Sequence, residues 1–392
     1  MLRFLTAGES HGPCLTGIIE GMPAGLRLDA GAINRKLELR KQSAGRGLRS
    51  SLEKDTVEIL SGVIEGRTIG TPICLKIKNF EQKFENSSLP RPGHADFPGM
   101  LKYDFINLHY IAERASARET AMRVAVGTTA GIFLQTFGVQ VLGFTRSIGK
   151  ITAEGRFDGF SAATRRARDE DPFFCLDKEA SKEMKKALSS SEKRCDSLGG
   201  VAEVLIQGLP PGLGSHVHWD RRLDGLLAKN MMSIPSVKAV EIGEGIASSY
   251  ENGASAHDVL FWEKGKGVFR KTNRAGGIEG GMSNGETVVI RLYAKPVPTL
   301  RDPLPTVDIQ KGGPSTGLYV RSDLCIVPSV AIIAEAAASW VLAEAFTEKF
   351  GGDTVGDMRA GLRAYRKRMK SLFFPVKKRQ KNSSESMLKE KE

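Results

Sequence analysis

The alternation of apolar and polar positions divides the chain into short strands and a few strongly helical runs. The segment TVEILSGVIEGRTIGTPICLKIKN alternates with glycine breaks and predicts a hairpin-like strand pair from Val57 to Ile77. Helical spacing over Ala30–Lys41 follows Asp29, a residue type suited to an N-cap. The Ala-rich run from Glu113 to Phe137 predicts one long helix with Arg114, Arg118 and Arg123 near its start. Val201–Gln207 and Thr287–Leu292 read as strands. Leu223–Met232 and Ser329–Glu348 read as helices, the first followed by the strand-like VKAVEIG. The most apolar stretch, Leu324 to Phe346, contains Pro328, Glu335 and Glu344, and so predicts a buried helix rather than a membrane span. No repeat of solenoid period and no sharp composition shift interrupts the pattern. The expected organisation is a single mixed α+β domain over 1–370 and a basic, disordered tail over 371–392.

Charge adds less than its total suggests. The formal net charge is +12, but from Arg366 onward ten basic side chains face three acidic ones. The basicity is largely a property of the end of the chain and argues weakly for a nucleic-acid face. Five cysteines lie scattered without a CxxC pair, the pattern of reduced thiols. The opening MLRFLTAGESHG has no apolar run long enough for a signal peptide, so the expected location is cytoplasmic.

The candidate chemistry sits in loops. His11 lies in TAGESHG and His94 in RPGHADFPG, both flanked by glycine and near acid or arginine. Imidazole changes charge near neutral pH, so both are candidates for moving protons. A loop histidine is more often simply exposed. Arginine is dense in two small-residue segments: Arg40, Arg46 and Arg49 in RKQSAGRGLRS, and Arg114 and Arg118 four apart on the predicted helix. Guanidinium forks near a helix start suit phosphate and carboxylate groups. The alternatives for this cluster are a solvated helix face or phosphate contacts to nucleic acid. NRAGGIEGGMSNG has five glycines in thirteen residues, which lets backbone amides approach a planar ligand or a phosphate. No P-loop word occurs. His216 and His218 form an HxH with no third ligand in sight, which reads as surface histidines, and His257 and His109 carry no metal signature; no metal is expected.

The words TAGESHG, SAGRG, RPGHADFPG, ERASARETAMRVA, DSLGG, GGIEGGMSNG and KPVPT, in this order from Met1 to about Lys370, resemble the chorismate synthase family. The resemblance implies a β-α-β sandwich, helices packed between antiparallel sheets, assembling as a homotetramer. It implies anti-1,4-elimination of phosphate from 5-enolpyruvylshikimate-3-phosphate to give chorismate, the last step of the shikimate pathway to aromatic amino acids. Reduced FMN is the implied cofactor, with no net redox change and NADPH only as a source of electrons. By the same resemblance His11, His94 and Asp323 are catalytic. Ser10, Arg40, Arg46, Arg49, Arg91, Ser116, Arg118 and Arg321 hold the substrate. Arg114, Ala115, Ser116, Pro235, Ser236, Gly280, Lys295, Pro296, Val297, Pro298, Thr299 and Arg321 hold the flavin. If the chain also reduces its flavin, Arg40 and Arg46 are the implied NADP contacts.

The chain departs from the family pattern at several positions. Asn107 and His109 stand where Asp and Arg are common, Ser43 and Ala44 where Gly and Tyr are usual, and His218 where an aromatic is typical. Pro235 and Ser236 replace a polar residue such as Asn followed by Ala, and Pro235 can contribute only its carbonyl or packing. The expected partner is a small-molecule substrate, with no nucleic acid and no membrane. An RNA-binding protein, suggested by the Arg/Gly segments and tail, is the alternative from another class, and a flavin-dependent redox enzyme is a third.

Overall fold

The computed structural model describes residues 1–47, 54–80, 87–155, 157, 159–318 and 323–373. Arg49, Arg321 and the expected tail from residue 374 onward therefore lie outside the described residues.

Two antiparallel sheets enclose a layer of helices. The first sheet contains β1 (Arg3–Ala7), β2 (Cys14–Glu20), β3 (Val57–Ser61) and β4 (Ile73–Lys78), in the order β1-β2-β4-β3. The predicted pair over 57–77 is present as β3 and β4, but a small ladder, Val63–Ile64 against Arg67–Thr68, stands between them. The second sheet contains β5 (Gln140–Ile148), β6 (Ile151–Thr152), β7 (Gly200–Gln207), β8 (Val237–Ile242) and β9 (Val288–Ala294), in the order β8-β9-β7-β5-β6. Side chains along β9 alternate between buried and half-buried, as expected of a strand with one face on the core.

The helices between the sheets are α1 (Ala30–Gln42), α4 (Thr120–Gln135) and α8 (Val327–Phe350). Between α1 and α4 the chain forms α2 (Asp96–Tyr103) and α3 (Leu108–Ala115); between α4 and α8 it forms α5 (Ala162–Glu170), α6 (Lys178–Lys193) and α7 (Leu223–Met232). A last helix, α9 (Val355–Phe373), takes in the first three residues of the expected tail. Helix α4 packs on β2, β4 and α8, and α8 packs on β5 and β7. Their approach is close enough to demand glycine: a Cβ at Gly127 would sit 2.3 Å from the Ala336 carbonyl oxygen. Helix α8 is long and apolar enough to cross a membrane, yet 89% of its most apolar window is buried inside the molecule. That is the buried helix predicted from its interrupting polar residues.

Those polar residues are accommodated. Glu335 on α8 meets Lys36 Nζ at 2.6 Å and Arg168 Nη1 at 3.1 Å, and it accepts from the Gly143 N–H at 3.1 Å. Burial opposes its ionisation, but the cations Lys36, Arg168 and Arg165 outweigh burial and hold the carboxyl well below its usual range.

One expectation holds in position only, and another fails. Asp29 occupies the N-cap of α1 with extended backbone, but its side chain makes no cap hydrogen bond. The single helix expected over Glu113–Phe137 is broken. Ser116 is extended (φ −64°, ψ 142°), and a single 3₁₀ turn at Ala117–Glu119 separates α3 from α4. The Ser116 hydroxyl accepts from the Arg118 N–H at 3.3 Å, a local bond that competes with helix continuation. The break matters because it falls among the candidate site residues.

Candidate active site

The break at Ser116 turns Arg114 and Arg118 in different directions, so they do not share one helix face. Arg114, in the last turn of α3, donates back to β1, at Thr6 Oγ1 (2.7 Å) and the Gly8 carbonyl (3.1 Å). Arg118 is buried. It donates to Asp55 and, at 2.8 Å, to Asn79 Oδ1. Arg40, also buried, reaches the other oxygen of Asp55 at 2.8 Å and Thr120 Oγ1 at 3.2 Å. Burial of Asp55 opposes its charge, but Arg40 and Arg118 dominate and hold the carboxyl below its ordinary value. One anion thus fixes two guanidinium planes drawn from sequence-distant elements.

The same network carries the first imidazole. Asn79 donates to the Glu9 and Gly12 carbonyls, at 2.9 and 2.7 Å, and so holds the loop that presents His11. His11 Nδ1 lies 2.6 Å from Glu113 Oε1, and the His11 N–H donates to Glu113 Oε2 at 2.7 Å. His109 Nε2 lies 2.5 Å from the same Oε1. Burial raises the Glu113 carboxyl, but the bonds from His11 and the charge of both imidazoles bring it below its usual value. The Ser10 N–H donates to the Glu113 carbonyl at 2.9 Å and Ser10 Oγ donates to Ser116 Oγ at 3.1 Å, closing a continuous set from His11 to Arg40.

The second imidazole has its own support. His94 Nδ1 lies 2.6 Å from Asp96 Oδ1, at the start of α2. Arg91 clamps both oxygens of that carboxylate, at 2.7 Å from Nε and 2.9 Å from Nη2. Burial disfavours the ionised Asp96, yet the bonds from Arg91 and His94 keep it far below the usual carboxylate range. Lys295 Nζ donates to the Gly93 carbonyl, and Pro298 also packs beside Gly93. The Lys295 N–H donates to the Ser236 carbonyl at 2.9 Å, and the Val297 carbonyl accepts from Ser197 Oγ at 2.8 Å. The expected flavin residues Ser236 and Lys295–Pro298 thus adjoin the His94 loop. Among the described residues no hydrogen bond links the His94 and His11 groups directly. Helices α2 and α3, which carry Asp96 and Glu113, pack together, with Ile111 against Gly99.

Asp323 is tied to the arginine loop. Its oxygens accept from Arg46 Nη1 at 2.5 Å and from the Gly47 N–H at 2.7 Å. Ser43 is buried against Ser329, with 3.2 Å between the hydroxyls. Within NRAGGIEGGMSNG the glycines divide in role. Gly276 serves close backbone packing, since a Cβ there would meet the Gly243 N at 2.3 Å, whereas Gly280 has nothing within 4 Å of a Cβ. Only Gly280 matches the open approach expected of that segment. His216 and His218 are exposed, and His218 pairs with Asp220 at 2.7 Å, as expected of surface histidines.

Sequence reasoning missed Asp55, Asn79, Asp96 and Glu113, the groups that orient the named side chains. The i, i+4 spacing of His109 and Glu113 was the one local signal, because it puts both on one helix face. His109, read as carrying no metal signature, lies with His11 and Glu113 in a cluster whose donor atoms are within 4.8 Å of one another.

Two carboxylate-held imidazoles and a buried guanidinium pair are set in an α+β sandwich, an arrangement suited to a small anionic ligand. The chorismate synthase family model matches residues 2–347, and the chain belongs to that family. It is 47% identical over 388 residues to the chorismate synthase of Moorella thermoacetica, covering 95% of this chain and all of that one. It is 46% identical over 394 residues to that of Pelobacter propionicus, again over 95% of this chain and all of that protein. A crystal structure of chorismate synthase superimposes with a TM-score of 0.79 at 39% identity, over 94% of this chain and 98% of the other. Each of these relatives is named as a chorismate synthase, and none is named for RNA binding.

Proposed function

We propose that the chain converts 5-enolpyruvylshikimate-3-phosphate to chorismate, the precursor of the aromatic amino acids, by anti-1,4-elimination of phosphate. The observation that carries this reading is the continuous network His11–Glu113–Ser10–Ser116–Arg118–Asp55–Arg40. It places a proton-carrying ring and hydroxyls beside guanidinium groups, the combination a phosphate-losing trianion needs. Arg40 Nε and Arg46 Nε are buried donors with no acceptor among the described residues, which fits oxyanions from a ligand.

The same donor chemistry, with Lys295 beside the His94 loop and open backbone at Gly280, fits a planar phosphate-bearing cofactor. Ser236, Lys295–Thr299, Arg114–Ser116, Gly280 and, outside the described residues, Arg321 would hold reduced FMN. When bound, that group supplies an electron-rich ring that assists phosphate departure without net redox change. Glu113 and Asp96 engage Nδ1 of His11 and His94, which leaves Nε2 of each ring to exchange a proton. Arg91 keeps Asp96 ionised and so keeps His94 oriented. Asp323 orients Arg46, and help from Asp323 in proton acceptance requires one of its two bonds to open. Two further proposals concern assembly and location. Leu5 and Ile18 pair across β1 and β2 and are 71% and 47% exposed, an apolar face that supports a homotetramer. The scattered cysteines support a cytoplasmic location.

The test is anaerobic turnover with chemically reduced FMN, with and without NADPH. Phosphate and chorismate should appear in equal amounts without matching NADPH consumption. One NADPH consumed per turnover would replace the elimination with a redox reaction.

A further inference from the structure

The triad of His11, His109 and Glu113 has the composition of a metal site. His109 and Glu113 stand one turn apart on α3, and His11 arrives from the loop before β2. Their donor atoms lie within 4.8 Å of one another, with Glu113 Oε1 2.6 Å from His11 Nδ1 and 2.5 Å from His109 Nε2. The side chains are largely removed from solvent: 20% exposed for His11, 11% for His109 and 10% for Glu113. Two features already hold the ligands. Glu113 Oε2 accepts from the His11 backbone N–H at 2.7 Å, which leaves Oε1 as the coordinating oxygen. Asn107 accepts from the His109 N–H at 3.1 Å and fixes the start of α3.

Two imidazoles and one carboxylate with a fourth position left to solvent are a donor set suited to Zn²⁺. Ligand bonds of about 2.0–2.2 Å require donors somewhat further apart than they stand here. The ring centroids are 5.3 Å apart, and rotation of the imidazoles opens the nitrogen–carboxylate contacts toward that spacing. Coordination exchanges the two nitrogen–carboxylate contacts for three metal bonds and sends the protons they share to solvent.

We propose that His11, His109 and Glu113 form a site for Zn²⁺, and that filling it stops turnover. The second half rests on the reading of His11 as a proton carrier. A ring that holds metal at Nδ1 and hydrogen at Nε2 cannot take up another proton.

The probe is Co²⁺, titrated into chelator-treated full-length protein and followed by its visible d–d absorption, with Zn²⁺ as competitor. One equivalent should bind. H109R keeps a cation for Glu113 but loses a ligand, and should weaken binding by more than the roughly 10–100-fold typical of losing an outer-shell partner. E113Q should do the same. Zn²⁺ should inhibit phosphate release by the wild-type enzyme and spare H109R. Failure of Co²⁺ to bind, or equal binding by H109R, overturns the site and leaves the elimination untouched. Stoichiometric binding with undiminished turnover keeps the site and removes His11 from the proton path.

Discussion

The two imidazoles are held by the same device in different company. His11 and His94 each place Nδ1 2.6 Å from a carboxylate oxygen. Asp96 is braced by a guanidinium on both oxygens, in a planar fork that matches the carboxylate. Glu113 is braced by a second imidazole and a backbone N–H. The His94 side has Arg91 and Lys295 at hand. The His11 side sets a second imidazole, His109, in the place of the guanidinium.

The most severe test of this comparison removes the rings. H11A and H94A should each lower kcat by roughly 10²–10⁴, the range for a positioned acid or base. Single-turnover phosphate release with pre-reduced flavin measures both. A near-normal rate in either would end the symmetry between them.

The next test exchanges the carboxylates. D96N leaves Arg91 without its anion in a nearly buried setting and should cost about 2–3 kcal/mol in urea unfolding, below the full penalty of a sealed pair because Arg91 is partly wet. E113Q retains a carbonyl that can accept from the His11 N–H and should cost about 1 kcal/mol. Equal losses would show that the arginine brace contributes nothing distinctive.

How much of this arrangement could be read from the chain alone follows from the range of each interaction. Leu223–Met232 appears as a helix with the expected bounds, because its apolar spacing is local. The run from Glu113 was misread as one helix because alanine and arginine favour continuation, and the single hydroxyl that breaks it acts through one bond at Ser116. Loop position and glycine neighbours drew attention to His11 and His94. Their carboxylates escaped notice for different reasons. Asp96 is two residues from His94 but gains meaning only through Arg91, and Glu113 is far from His11 in the chain. Asp55 carries no motif at all, and only folding shows that Arg40 and Arg118 converge on it. The sheet order is likewise a long-range fact, whereas the burial of α8 was legible in its apolar run.

Acid titration sharpens the same contrast. The carboxyl of Asp96 titrates below its ordinary value of 3.8 in the folded protein, and Glu113 is lowered from 4.5. A depressed folded pKa gives stability that is fully present above the unfolded value and is lost as pH falls through the folded one. Wild-type stability should therefore fall below about pH 4, and D96N should flatten that limb more than E113Q does. Urea midpoints between pH 5 and pH 2 measure it. An unchanged acid limb in D96N would mean that Asp96 is not the more strongly held of the two anions.

The smallest expected effect lies on the His11 side alone. Ser10 and Ser116 share a hydrogen bond of 3.1 Å, and the Ser116 hydroxyl also accepts from the Arg118 N–H at 3.3 Å. No such hydroxyl pair stands beside His94 among the described hydrogen bonds. S116A removes both interactions and should cost about 1 kcal/mol, while S10A removes one and should cost about half as much. Both losses should be visible in urea midpoints. Because Ser116 sets the turn that aims Arg118 at Asp55, S116A should also raise KM for the phosphorylated substrate more than S10A does. If the two variants are equal in both measurements, Ser116 is only a hydroxyl near the substrate. The aim of Arg118 then depends on Asp55 and Asn79 alone.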